Sequence, residues 1–271
     1  MKKHYSSIIS TAFGKFASKT FPRPVQKVIN NSYVKLMGLD MSEFKKPHEY
    51  QTLNELFTRT LIQPRKIPTD EHIIISPVDG VVTDFGEIKK SKAYQIKGME
   101  YSISELFGEY HQEAVLALEG GYFVNLYLSP KDYHRYHAPD KLNVESLTHI
   151  PGKLYPVNFP FLRNKRELFI ENERVIIECK DSADATYVMV LVGALNVGKM
   201  VITFEEAINT NSDICKPQHY RYENLTLAKG ELFGWFEMGS TILLFSEKDR
   251  YTPELAINQK VKFGEAIGTV K

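Results

Sequence analysis

Four short segments carry side chains whose types and spacing could do chemistry. Ser76-Pro77-Val78-Asp79-Gly80 sets a carboxylate in a turn between two apolar stretches. Tyr133-His134-Arg135-Tyr136-His137-Ala138-Pro139 places two imidazoles three residues apart, just after a strong strand pattern. Gly193-Ala194-Leu195-Asn196-Val197-Gly198 is a glycine-bracketed strand end. Phe236-Glu237-Met238-Gly239-Ser240-Thr241 is a Gly-Ser junction that runs straight into the apolar Ile242-Leu243-Leu244-Phe245. A hydroxyl nucleophile needs a base, and the base needs an orienting acid; serine, histidine and aspartate can fill those roles. A peptide bond ahead of a serine can also break from within. The hydroxyl attacks the preceding carbonyl, and a glycine at that carbonyl removes side-chain obstruction.

Taken singly, each segment has an ordinary explanation. Asp79-Gly80 is the common chemistry of a tight hairpin turn. Two histidines can be metal ligands, but no nearby cysteine and no third ligand completes a zinc pattern, so no metal is expected. The Gly193 stretch lacks the lysine-serine ending and helix start of a phosphate cradle. Two other functional classes also fit the pieces. In a non-catalytic, carrier-type β module both Asp79-Gly80 and Gly239-Ser240 are plain turns. A serine hydrolase would use Ser240, His137 and Asp79 on an external ester, but the sequence has no glycine two residues after Ser240 and so lacks a Gly-x-Ser-x-Gly elbow.

The elements that must hold these residues change character along the chain. Residues 1–39 carry Lys2, Lys3, Lys15, Lys19, Arg23, Lys27 and Lys35 and no acid. Tyr5, Ile8, Ile9, Ala12, Phe13 and Phe16 recur at helical spacing. A second helix is expected from about Pro24, with Val25, Val28, Ile29, Tyr33, Leu36 and Met37 on one face and Gly38 as its stop. Thr52-Leu53-Asn54-Glu55 announces a third helix. These helices either pack on the core or lie in an anionic lipid interface, and the acid-free, basic bias favours the interface. Strand composition then dominates at 73–76, 81–83, 115–118, 122–128, 174–178, 187–191, 200–204 and 241–245. Helices do not alternate with these strands, so the fold class is α+β: a mostly antiparallel β core (63–271) behind a helical, membrane-associating segment (1–62).

Composition narrows the function further. The 271 residues are 43% hydrophobic and 25% charged, enough for a packed core. A net charge of +1 argues against a whole-protein field built for nucleic acid. Only Cys179 and Cys215 occur, which suits a reducing compartment rather than a disulfide framework. No stretch approaches the roughly 20 apolar residues of a membrane span.

In their order along the chain, the segments resemble the phosphatidylserine decarboxylase family. The family's SPADG-like turn stands as Ser76-Pro77-Val78-Asp79-Gly80, its YHR-x-H-x-P segment as Tyr133 to Pro139, and its LGST processing site as Met238-Gly239-Ser240-Thr241. Methionine in place of leucine keeps volume and apolarity beside the scissile bond. The resemblance implies that Ser240 attacks the Gly239 carbonyl, with His137 as base and Asp79 holding the imidazole. The products would be a β chain 1–239 and an α chain 240–271, joined as a heterodimer, with further oligomerisation left open. It implies a covalent pyruvoyl cofactor made from Ser240, which forms a Schiff base with the serine headgroup of phosphatidylserine. His134 would return a proton to the substrate carbon or position its carboxylate. Tyr155 and Asn158 would shape the headgroup pocket. The expected location is peripheral, on the cytoplasmic face of the cell membrane.

Overall fold

The computed structural model describes residues 5–96, 99–195, 199–237 and 240–270. Helices α1 (Tyr5–Ala17) and α2 (Arg23–Met37) flank the break at Phe21-Pro22. Gly38 takes the left-handed conformation that ends α2, and its N–H closes on the Val34 carbonyl. Helix α3 (Leu53–Phe57) starts where the Thr52 side chain accepts the Glu55 N–H, while the Glu55 carboxylate accepts from Gln51 N.

The β core follows. Strands β1 (Ile73–Ile75), β2 (Gly80–Glu87), β3 (Lys92–Ile96) and β4 (Met99–Ser102) lead into the short helices α4 (Ile103–Phe107) and α5 (Gln112–Ala117). Then come β5 (Tyr122–Leu128), β6 (Arg135–His137) and β7 (Leu142–Ile150), with α6 (Phe159–Asn164) and α7 (Leu168–Glu171) behind them. The rest is β8 (Arg174–Lys180), β9 (Thr186–Val192), β10 (Met200–Ile202), β11 (Gln218–Leu227), β12 (Leu232–Phe236), β13 (Ser240–Ser246), β14 (Thr252–Pro253), β15 (Lys260–Val261) and β16 (Ala266–Thr269). All pairings between these strands are antiparallel.

Eight strands form the main sheet in the order β11-β7-β8-β9-β13-β5-β2-β15. Strand β13 is an inner strand: Thr241 is registered with Val192 on one side, and Ser240 with Leu128 on the other. All seven of its residues are buried. Phe107 of α4 meets Phe245 edge-on at 5.1 Å, and the small β10-β12-β6 sheet adds Tyr136, Phe233 and Phe236 to the same core. With both faces covered, β9 and β13 read as continuous apolar runs instead of alternating ones.

Two local expectations need correction. Residues 115–118 are not a strand: 115–117 close α5, burying Val115 and Leu118 at helical spacing while Leu116 faces out. A four-residue apolar run does not distinguish the two periods. Asp79-Gly80 is not a hairpin turn either, because β1 pairs with β16 and β2 with β5 and β15. Gly80 is required for a different reason. A Cβ there would stand 2.8 Å from the Tyr127 carbonyl oxygen.

Helices α1 and α2 form as the spacing predicts, with their apolar residues divided between two sides. Helix α2 buries Gln26, Asn30 and Tyr33 and leaves Val25, Val28, Leu36 and Met37 exposed, with Leu36 at 80%. Helix α1 buries Ser6, Ser10 and Ala17 and exposes Ile8 and Phe16. Ala17 and Tyr33 join Leu53, Leu56 and Phe57 in a small core, and Phe13, Ile29 and Val34 pack against it. Asn30 anchors α2: its amide donates to the Pro47 and Tyr50 carbonyls at 2.8 and 3.0 Å and its oxygen accepts from Gln26. No described helix is long and apolar enough to cross a membrane. Replacing Asn30 with leucine should lower unfolding free energy by about 1–3 kcal/mol in chemical denaturation, because two buried carbonyls lose their donor. A stabilised variant would show that the Asn30 anchor is incidental.

Candidate active site

Asp79 lies in the Ser76–Gly80 turn, His137 stands beside that turn, and Ser240 opens β13. His137 ends β6, and its backbone N–H donates to the Pro77 carbonyl at 3.0 Å, which seats the imidazole beside the turn. Its Nδ1 lies 2.9 Å from the Gly230 carbonyl oxygen and its Nε2 lies 3.0 Å from the Tyr133 hydroxyl. A carbonyl can only accept, so Nδ1 carries the proton and Nε2 accepts from Tyr133. Gly230 sits at φ +78°, which positions that carbonyl at little steric cost. The Phe263 ring lies nearly parallel to the imidazole, 3.6 Å between centroids.

Asp79 occupies a different node from the one expected. Its Oδ2 accepts from Arg65 Nη2 at 2.9 Å, its Oδ1 accepts the Phe263 N–H at 2.7 Å, and Arg65 also bonds Glu43. Both ring nitrogens of His137 are engaged elsewhere, so the expected direct Asp79–His137 hydrogen bond is corrected. The carboxylate reaches the imidazole through Phe263, whose backbone it holds and whose ring covers His137. The turn is braced from the same direction, with Ser76 N donating to the Glu265 carbonyl and Gly264 N to that of Ser76.

Ser240 is fully buried, and among the described residues its hydroxyl has no hydrogen-bond partner; Thr241 and Ser246 on the same strand share that condition. Gly239 and Met238, the expected cleavage-site neighbours, lie outside the described residues, as do Asn196, Val197 and Gly198 of the glycine-bracketed segment. His134 is also fully buried. Its Nδ1 donates to the Asp132 carbonyl at 2.8 Å, its ring packs 4.1 Å from Phe57 of α3, and its Nε2 has no partner. The Phe236 N–H donates to the His134 carbonyl, so β12 carries the chain past His134 four residues before Ser240. Burial pulls the His137 pKa down to about 4 and that of His134 to about 3. At neutral pH both are uncharged, and each presents Nε2 as a lone pair.

A cavity of about 440 Å³ opens next to Asp79, walled by Tyr127, Ser129 and Tyr133. Leu128, the register partner of Ser240, lies between two of those residues. Tyr155 and Asn158 are not among its walls. Asn158 caps α6 by accepting the Phe161 N–H, and Tyr155 has Lys165 and Lys153 over its ring at 4.4 and 5.4 Å. Sequence reasoning missed Arg65, Gly230 and Phe263. Phe263 is 184 residues from the carboxylate it meets, and no local pattern marks it. Among the described residues no group of three His, Cys, Asp or Glu side chains could hold a metal ion.

The sequence model of phosphatidylserine decarboxylases matches residues 53–269, and the chain belongs to that family. Its members are carboxy-lyases made as proenzymes, and they carry a pyruvoyl group derived from serine. Three relatives are each named phosphatidylserine decarboxylase proenzyme. One from Campylobacter jejuni is 44% identical over 97% of this chain and 98% of its own; one from Helicobacter pylori is 42% identical over 97% of each. A mitochondrial one from Cricetulus griseus is 31% identical over 97% of this chain and 71% of its own. Membership implies autocleavage followed by decarboxylation of phosphatidylserine to phosphatidylethanolamine. The family match begins at the first residue of α3, whose Phe57 packs on His134.

The two neutral imidazoles make stability depend on pH in one direction. Their folded pKa values lie below the ordinary 6.5, so between there and about 4 the unfolded chain binds protons that the folded chain refuses. Their contribution is intact above that window and is lost as the pH falls through it. Melting temperatures followed downward through this window should fall, and fall less in a variant carrying His134→Gln and His137→Gln. An equal fall in both would assign the acid sensitivity to other groups.

Proposed function

We propose that the chain cuts itself by attack of Ser240 Oγ on the Gly239 carbonyl, and that Ser240, His137, His134 and Asp79 divide the work. The observation that carries this reading is the family match, which spans Ser240 at the head of an inner strand, with its hydroxyl buried and unpaired among the described residues. An unpaired buried hydroxyl costs about 1–3 kcal/mol, which a site retains when that group has a reaction to perform. As the C–Oγ bond forms, the Gly239 C–N bond breaks, and the hydroxyl proton passes to the base and then to the released amine. His137 is that base. It is neutral, its Nδ1–H is fixed by Gly230, and the Tyr133 hydroxyl is the resting partner of the nitrogen that must take the proton. Asp79 is a positioning residue, acting through the Phe263 ring that covers the imidazole. The ester then eliminates the β chain, and hydrolysis of the remnant releases ammonia and leaves the pyruvoyl terminus.

The surroundings fit a small carbonyl group at residue 240: an enclosed position, an orphaned hydroxyl, and a neutral imidazole nearby along the chain path. That group supplies the electron sink for loss of carbon dioxide from the serine headgroup. His134 gives the proton back to the substrate carbon. Burial keeps it neutral in the free protein, and an anionic headgroup beside it favours its protonated form.

Helices α1 and α2 lie on an anionic membrane surface. Ile8, Phe16, Val25, Val28, Leu36 and Met37 point away from the protein, and Lys15, Lys19, Lys27 and Lys35 stand among them. Cys179 and Cys215 are free thiols, which suits the cytoplasmic face.

Intact mass spectrometry of fresh protein should report chains 1–239 and 240–271, the second lacking ammonia. Ser240→Ala should remain one folded, inactive chain. Wild-type protein that decarboxylates the lipid while remaining uncut would sink the reading. His134→Ala should still be cut but lose roughly 10²–10⁴-fold in decarboxylation rate, whereas Asp79→Asn should slow the cutting itself. In sedimentation with anionic vesicles, replacing both Val28 and Leu36 with glutamate should weaken binding, as should high salt.

A further inference from the structure

We propose that Arg59 anchors the phosphodiester of the lipid headgroup in the cavity beside Asp79. This rests on the reading of the chain as a phosphatidylserine decarboxylase, and it assigns a positioning residue to that reaction. Arg59 lies just after α3, is 2% exposed, and lines the 440 Å³ cavity. Its Nη2 donates to the Lys131 and Asp132 carbonyls at 2.8 and 3.2 Å, and its guanidinium lies 4.4 Å from the centre of the Phe44 ring. Its Nε and Nη1 are buried and have no partner among the described residues.

A buried guanidinium with donors to spare is costly unless an anion comes to it. The carboxylates around the cavity are engaged elsewhere. Asp79 and Glu43 are held by Arg65, Asp132 accepts from the Ser129 amide and hydroxyl, and Asp40 accepts the Ser42 amide. Burial also raises the Asp132 pKa. Lys131, Lys260 and Lys262 add positive charge to the walls, Lys262 while paired to Glu43 at 3.2 Å.

The substrate class supplies the anion. A phospholipid headgroup carries a phosphodiester, and Arg59 offers guanidinium donors unpartnered among the described residues, in a cavity whose other cations besides it are lysines. A planar guanidinium suits the paired oxygens of that group, so a phosphodiester is the anion assigned to Arg59.

The test uses the processed enzyme and sn-glycero-3-phosphoethanolamine, a headgroup probe without a carboxyl group to lose. In wild-type protein the Arg59 Nε–H resonance should move as this probe is added, a measurement that needs no variant to fold. Arg59→Gln should weaken probe binding about tenfold or more and raise KM with a smaller change in kcat, and Arg59→Lys should recover part of the loss. Cutting at residue 239 should proceed in both. Free L-serine should bind independently of Arg59, and inorganic phosphate should compete but more weakly than the probe. A silent Nε–H resonance, or equal probe affinity in wild type and Arg59→Gln, would overturn the assignment. So would phosphate binding that the probe cannot displace, or serine binding that depends on Arg59. Loss of cutting or of decarboxylation in the wild type would instead count against the function proposed above, since probe binding is read separately.

Discussion

The carboxylate of Asp79 joins parts of the chain that have no local reason to meet. Both oxygens accept from the Arg65 guanidinium, one of them also takes the Phe263 N–H, and Arg65 in turn holds Glu43 just beyond α2. Charge-assisted bonds of this kind are about twice as strong as neutral ones, and the Arg65 and Asp79 side chains are partly withdrawn from water. The node fixes the Ser76–Gly80 turn, and the turn fixes His137 through the Pro77 carbonyl. It also holds Phe263 against the imidazole face. Disturbing the node would leave the ring nitrogens their partners but free the surface against which the ring rests.

The residues proposed to react share a dry setting. Ser240 and His134 are fully excluded from solvent, and His137 nearly so. In such surroundings an imidazole stays neutral and acts as a base, while charge that develops nearby is felt strongly. Water would hydrolyse an activated acyl group and compete for the protons that must move within the site. The same dryness explains why Tyr133, with its pKa pushed up to about 12, stays a hydroxyl donor to His137.

Much of this arrangement was legible in the sequence. Strand β5 falls on the predicted 122–128, and the runs at 187–191 and 241–245 are the inner strands β9 and β13. Long apolar runs bounded by turns leave little choice of period. Residues 115–118 were misread because four apolar residues fit either period, and the Asp79-Gly80 turn because its strands pair with distant segments. Both N-terminal helices were recognised with apolar residues facing away from the core, but not the inward turn of Phe13, Ile29 and Tyr33, because helical periodicity does not mark where a stripe divides. The serine, the histidines and the aspartate could be named because motif spacing is local. Their supporting contacts from Gly230 and Phe263 could not, because a backbone carbonyl and a stacked ring leave no mark in nearby sequence.

The position of β13 in the sheet also governs when the chain can mature. Strand β13 fills the gap between β9 and β5, and the segment that braces the Asp79 turn comes later still, at Phe263 to Glu265. During synthesis β13 follows β2, β5, β7, β8 and β9 out of the ribosome, so the main sheet stays divided between β9 and β5 until it arrives. A polypeptide released before Phe263 would keep Ser240 yet lack the N–H that Asp79 accepts and the ring that covers His137.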